Sequence, residues 1–276
     1  MSNEKLTRDQ QREAARAKAK AMREAQKKAA STKKIAIIVG SVIASVALVG
    51  AVVWGISETA KQTVDASKGP STAFTNRGVT IGADLQVANS ASSINKEVPT
   101  IIIYQDLQCP ACRAFEEPNM PQILELVKAG KYNLEIHPIG MLDAASLNEY
   151  SSRAGSALLC VADTEPAKFL DFNTALYANQ PAEQSFGPDS NQLADLAKSV
   201  GVTGSDTLDC IKHNKWANWV KDSYKLVMEE TPTGSTPATI KFEGTPAVIV
   251  NGQRYKGELN NAAMFLQWLQ MVAPVQ

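Results

Sequence analysis

Residues 98–115 read VPTIIIYQDLQCPACRAF, a β-branched run leading into two cysteines two residues apart. The run VPTIIIY has the character of a strand buried on both faces. Beyond it, apolar residues at Phe115, Met120, Ile123, Leu124 and Val127 predict a helix that ends near Gly130, with Pro118 and Pro121 expected to kink or restart it. Cys109 then falls at the N-cap and Pro110 at the first helical position, where a missing N–H costs nothing. A cysteine there meets unpaired backbone N–H groups and the positive end of the helix dipole, and both favour a thiolate. Cys112 lies one turn further in, on the side that faces the core, where burial keeps it a thiol. A thiol of pKa about 8.5 is roughly 3% ionised at pH 7, whereas one shifted to about 5 is roughly 99% ionised. The placement therefore predicts an attacked sulfur at Cys109 and a resolving sulfur at Cys112.

Spacing alone leaves zinc ligation, a structural staple and redox chemistry open, so the compartment matters. Among the 276 residues, positions 1–34 hold 11 Lys and Arg against 4 Asp and Glu, and the remainder holds 17 against 24, so charges of +7 and −7 cancel. Between the two regions lies IAIIVGSVIASVALVGAVVWGI, Ile35–Ile56, which is 22 residues without a formal charge. A helix rising 1.5 Å per residue covers about 33 Å over that length, enough for a hydrocarbon core of roughly 30 Å. A cleaved signal peptide would have a shorter apolar region and a small-x-small site, and SETAKQTV offers none. The stretch is expected to be a retained transmembrane signal anchor. Lys33 and Lys34 abut it, and only Lys61 and Lys68 follow closely, which places the N-terminus in the cytoplasm and the rest of the chain outside. The basic stretch has no aromatic residue to stack a base, so a cytoplasmic tail is preferred to a nucleic-acid arm.

Cysteines outside the cytoplasm meet oxidising conditions. Zinc would need further ligands at close spacing, and His137, His213, Cys160 and Cys210 do not supply them. No phosphate loop, serine triad or metal cluster stands out, and no metal or cofactor is expected.

The rest of the chain predicts a short strand at Gly78–Gly82, a second strand within 131–140 and helices from about 145 to 230. A strand follows at 245–252 with Asn251-Gly252 as a hairpin turn, then QRYKG, then a helix from about Asn260 to Met271. The order is that of an α/β protein, a mixed sheet covered by helices with an all-helical insertion.

VPTIIIYQDLQCPACRAFEEPNM, LNEYSSRAGSALLCVADTE and FEGTPAVIVNG, taken in that order, resemble the DsbA-like branch of the thioredoxin superfamily over roughly residues 78–273. The resemblance implies a thioredoxin fold with an inserted helical domain, thiol–disulfide exchange on extracytoplasmic proteins, and reoxidation by a membrane quinone-linked partner. It also implies that Thr245-Pro246 is a cis pair lying against the cysteines and presenting backbone groups to substrate; only X–Pro makes a cis bond cheap. Expected boundaries are a basic tail at 1–34, the anchor at 35–56 and a linker at 57–77. The thioredoxin fold then occupies 78–144 and 233–276, split by the insertion at 145–232.

Two departures from the family pattern stand out. The dipeptide between the cysteines is Pro-Ala rather than the Pro-His of the strongest oxidants, so no imidazole adds charge at the thiolate. The position six residues before Cys109, where many relatives carry a buried acid, is Ile103. Asp106 is the nearest carboxylate, weighed as a proton acceptor against a solvated loop-end residue. Cys160 and Cys210 are expected to form a structural disulfide, with a second redox pair and two free thiols as the alternatives. Trp216, Trp219, Phe169, Phe172, Leu176 and Tyr177 read as packing, and His137 as structural. The functional expectation is a membrane-anchored oxidoreductase that introduces disulfides into unfolded secreted or surface proteins. A reductase or isomerase of the same fold, or a surface binding module with an inert disulfide, are the alternatives.

Overall fold

The computed structural model describes residues 69–73, 77–229 and 241–275. The stretch Ile35–Ile56, expected to be an anchor, and the basic segment before it lie outside the described residues. Among the described residues, no helix is long and apolar enough to cross a membrane.

Five strands form one sheet: β1 (Val79–Ile81), β2 (Thr100–Gln105), β3 (Asn133–Pro138), β4 (Ala247–Val250) and β5 (Gln253–Arg254), in the order β1-β3-β2-β4-β5. β2 and β3 are parallel, with Ile101 opposite Leu134 and Ile103 opposite Ile136; the β1–β3, β2–β4 and β4–β5 pairs are antiparallel. Parallel neighbours need a crossover, and α1 (Pro110–Lys128) supplies it. β2 is central, which is why TIIIYQ is apolar on both faces: Ile101 and Ile103 belong to one buried cluster, Ile102 and Tyr104 to the other.

α1 runs unbroken through Pro118 and Pro121, contrary to the kink or restart expected from the sequence. Each proline removes one backbone donor. The amphipathic face compensates by packing: Phe115, Met120, Ile123 and Val127 are buried, and Phe115 meets Phe265 edge-on at 5.2 Å. The Asn119 amide adds bonds to Phe115 O (2.8 Å) inside the helix and to Leu259 O (2.7 Å) outside it. α1 ends as Gly130 takes φ +69, a left-handed conformation that glycine adopts without a Cβ penalty. The β4–β5 turn, Asn251-Gly252, has φ of +47 and +74, the pair of positive values that a type I′ turn requires.

Between β3 and β4 stand five helices: α2 (Tyr150–Thr164), α3 (Phe169–Ala178), α4 (Ser190–Ser199), α5 (Ser205–Lys212) and α6 (Ala217–Glu229). α2 is the hub, buried along almost its whole length from Tyr150 to Ala162. Cys160 on α2 and Cys210 on α5 are joined in a disulfide with Cα atoms 5.8 Å apart. Phe169, Phe172, Leu176 and Tyr177 are buried on α3. Trp219 on α6 is buried under the Arg77 guanidinium, 3.4 Å from the ring centroid. Its indole also closes on Gly69, where an added Cβ would overlap the ring, and Ser71 donates through N (2.8 Å) and Oγ to Asp163 Oδ1. The end of the stretch read as a linker is thus packed against the insertion. The final helix, α7 (Ala262–Val272), is capped by Asn261, whose side chain accepts from Met264 N.

Candidate active site

Cys109 is the N-cap of α1, Pro110 is its first residue, and Cys112 lies on its buried face. Both cysteines are free thiols, with 6% of Cys109 and 2% of Cys112 exposed. Thr245-Pro246 is cis and precedes β4. It closes over the pair, with the Cys109 thiol donating to Thr245 O at 3.5 Å. Antiparallel pairing of β2 with β4, Tyr104 opposite Ala247, delivers the two segments to the same end of the sheet although they are far apart in sequence.

The two sulfurs are electrostatically unlike. The Cys109 pKa is lowered to about 6, chiefly because the Cys112 thiol hydrogen-bonds it. Partial burial works in the opposite direction, and the Thr245 side chain and the N–H groups of Cys112 and Ala111 add to the stabilisation of the thiolate. At pH 7 a group of pKa about 6 is about nine-tenths ionised. Burial pushes the Cys112 thiol well above the ordinary cysteine range, and the hydrogen bond it gives to Cys109 pushes the same way. Its sulfur accepts from Asp106 N at 3.4 Å. One turn of helix therefore presents a good leaving group beside a poor one.

Asp106 is fully buried, so the solvated alternative for it does not apply. Oδ1 accepts from Gln108 N (2.8 Å) and Ser151 Oγ (2.7 Å), and Oδ2 from Leu142 N (2.8 Å). Burial raises its pKa to about 6 against the pull of these donors. Its carboxylate ties the loop after β2 to α2, while its backbone is what touches Cys112.

A second acid was not singled out in the sequence. Glu116, one turn beyond Cys112 on the same face of α1, is buried, and its pKa is raised by burial to about 8. Asn173 on α3 donates to Glu116 Oε1 (2.7 Å) and accepts from Gln105 Nε2 (2.7 Å), a buried polar chain joining α1, α3 and β2. The Tyr177 hydroxyl is buried without a hydrogen-bond partner, and its pKa is held high by burial and by the charges of Cys112, Glu116, Asp106 and Cys109. Gln180 Nε2 donates to Leu107 O (3.0 Å) and Cys109 O (3.1 Å), and Gln108 Nε2 to Ala182 O (3.2 Å), so the insertion grips the loop that carries Cys109. The i,i+4 relation of Cys112 and Glu116 was visible in the sequence; Asn173, Tyr177 and Gln180 carry no signal there because only the tertiary fold brings α3 to the cysteines.

His137 lies elsewhere. It bonds Glu135 and stacks on Tyr104 at 4.3 Å, among the cluster on the other face of β2. Among the described residues, no group of three or more His, Cys, Asp or Glu side chains gathers as it would around a metal ion.

The family profile described as Thioredoxin matches residues 95–269. Among solved structures, the reduced DsbA of Mycobacterium tuberculosis is 30% identical and superposes with a TM-score of 0.56, over 71% of this chain and 91% of that one. The reduced disulfide-bond oxidoreductase DsbG of the same organism is also 30% identical, with a TM-score of 0.56 over 72% of this chain and 89% of that one. The oxidised BdbD of Bacillus subtilis, 18% identical, shares the fold with a TM-score of 0.53 over 74% and 96% of the two chains. No protein with a curated description matches the sequence.

Proposed function

This chain belongs to the DsbA-like branch of the thioredoxin superfamily, and from that premise we propose that its Cys109–Cys112 pair donates a disulfide to extracytoplasmic proteins as they fold. The observation that carries the reading is the contrast between the sulfurs, Cys109 lowered to about 6 and Cys112 raised by burial.

A client thiolate attacks the Cys109 sulfur, the Cys109–Cys112 bond breaks and Cys112 leaves with the electron pair. The client's second thiolate then attacks its own sulfur in the mixed disulfide, and Cys109 departs as a thiolate. Low basicity makes Cys109 a good leaving group in that second step and stabilises the reduced enzyme, the direction of an oxidant. The Thr245 carbonyl stands where a client backbone donor can bond, beside the attacked sulfur. The loop that meets Gln108 continues to Phe186, which is exposed, as is Leu147, whose N–H donates to Ser185 O at 3.3 Å; together they make an apolar ledge suited to an unfolded chain.

The same reading includes a membrane anchor at Ile35–Ile56, a cytoplasmic tail, an extracytoplasmic catalytic domain and a membrane quinone-linked partner that reoxidises Cys109–Cys112. Charge asymmetry about the apolar stretch supports the anchor and its orientation, and the partner is what the family resemblance implies. Cys112→Ala in cells is the test. It is expected to accumulate mixed disulfides between Cys109 and clients, and capture of no client would overturn the oxidase reading.

Ala111 favours a second reading, a reductase or isomerase, because no imidazole joins the donors around Cys109. A potential of the Cys109–Cys112 couple near about −270 mV would support it, and one near about −120 mV the oxidase.

A further inference from the structure

β4 and β5 form a hairpin in which Arg254 on β5 stands opposite Ile249 on β4. Directly opposed residues share a face of the sheet, so the Arg254 side chain rises on the face of the Ile249, Phe242 and Tyr104 cluster. Its guanidinium reaches back to the segment that precedes β4, and only 16% of the side chain stays exposed. Nη1 donates to Glu243 Oε2 at 3.1 Å and Nη2 to Gly244 O at 3.2 Å. One planar fork thus grips two consecutive residues immediately ahead of Thr245-Pro246.

Gly244 is the link that needs such a grip. Its φ is +135, which residues with a side chain rarely adopt, and an added Cβ would meet nothing within 4 Å. Backbone conformation rather than lack of room therefore selects glycine, the residue with the widest backbone freedom. Phe242 is buried on one side, edge-on to Tyr104 at 6.1 Å, and Pro246 is buried on the other. Between those fixed points the Arg254 fork is what holds the Gly244 carbonyl.

The consequence falls on Thr245. A trans peptide unit is planar, with its C=O and N–H pointing in opposite directions. Only Thr245-Pro246 is cis among the described residues, so the Gly244–Thr245 unit is trans. A Gly244 carbonyl held by Arg254 therefore turns the Thr245 N–H away from the fork. No described residue accepts from that N–H, and the Thr245 carbonyl receives the Cys109 thiol at 3.5 Å.

We infer that Arg254 is the positioning residue for polypeptide clients: its bond to Gly244 O fixes the Gly244–Thr245 peptide plane, so that the Thr245 N–H and C=O are presented together to a client backbone beside Cys109. This deepens the redox reading above and rests on it. None of the leading influences on the Cys109 and Cys112 pKa values comes from Arg254, so it acts on docking and leaves the exchange of sulfurs alone. A bare dithiol needs only the sulfurs, whereas a peptide needs Thr245 as well.

The test gives the oxidised full-length chain either a reduced two-cysteine peptide or dithiothreitol. Its single-turnover reduction is followed against the concentration of each, in the wild type and in Arg254→Ala. Arg254→Ala should raise the half-saturating peptide concentration roughly tenfold, the reach of one net hydrogen bond, and keep the limiting rate. Its rate with dithiothreitol should match the wild type. An unchanged half-saturating peptide concentration, or an equal loss of rate with peptide and dithiothreitol, overturns the role of Arg254 and leaves the oxidase reading standing. A wild type that oxidises no peptide overturns both. Should Arg254→Ala fail to fold, Arg254→Lys decides. It keeps the stem and the charge, and its single ammonium goes to the Glu243 carboxylate in preference to the neutral carbonyl. The same selective rise must appear with peptide, and a wild-type response overturns the inference.

Discussion

Cys109 and Cys112 share one helical turn and differ because one caps the helix and the other lies beneath it. The main support of the Cys109 thiolate is the Cys112 thiol, ahead of the backbone N–H groups of the helix terminus. Cys112→Ala should therefore move the Cys109 titration upward from about 6 toward the ordinary cysteine range, with Thr245 and the N–H groups still opposing the effect of burial. Thiolate absorbance against pH, or the pH dependence of alkylation by iodoacetamide, reads this directly; an unchanged midpoint would show that the helix terminus alone sets the value. The unlike placement of the two sulfurs was legible in CPAC, since an N-cap position and an i+3 position can be read from a strand-to-helix transition. The buried acid was not legible in the same way. Glu116 follows Phe115 and precedes Glu117, and nothing local distinguishes the buried glutamate from its exposed neighbour, which pairs with Arg113 at 2.7 Å.

At the scale of elements, α3 and the segment after it act as a clamp. Gln180 satisfies two carbonyls of the Cys109 loop, and α3 supplies both Asn173 and Tyr177. Gln180→Ala removes two part-buried hydrogen bonds and should cost roughly 1–3 kcal/mol, read as a lower urea midpoint, with a larger fractional loss of peptide oxidation than of stability. The Cys160–Cys210 disulfide holds α2 to α5 across a separation of 50 residues. Replacing both cysteines by Ser should lower stability by about 4 kcal/mol on the chain-entropy account and leave the Cys109 titration unmoved. A shift of that titration in the double variant would instead connect the second disulfide to the active site. The helical pattern of the insertion was readable from its apolar spacing, and α1 shows where local rules end. Two prolines predict a break, yet packing against the sheet and α7 keeps the helix whole.

For the whole molecule, redox state and stability are linked through Cys109. In the reduced form its folded pKa, about 6, lies below the value of about 8.5 of an unperturbed cysteine, so the folded protein sheds a proton that the unfolded chain retains. The stabilisation is fully present above pH 9, and is lost as pH falls through about 6. Asp106 and Glu116 have raised values, about 6 and about 8, and act in the opposite sense, stabilising most at low pH and losing that contribution as pH rises through those values. Both thiols exist only in the reduced form, and the raised value of Cys112 tells only as pH nears the ordinary thiol range, so between pH 6 and 8 the difference between reduced and oxidised protein is governed mainly by Cys109. Thermal unfolding should show the reduced form gaining on the oxidised form between pH 6 and 8, and a constant difference would mean that Cys109 has an ordinary pKa when folded.

From sequence alone came the α/β order, the strand feeding the cysteine pair, the helical insertion, the hairpin at Asn251-Gly252 and the unlike placements of Cys109 and Cys112. All of these rest on short-range physics: apolar periodicity, turn chemistry and the dipole of one helix. The tertiary structure alone decided which groups meet the sulfurs. Thr245 arrives by antiparallel pairing of β4 with β2, Ser151 reaches Asp106 from α2, and α3 lays Asn173 and Tyr177 beside Glu116. Burial is a property of the assembled fold, and burial is what raises Glu116 to about 8.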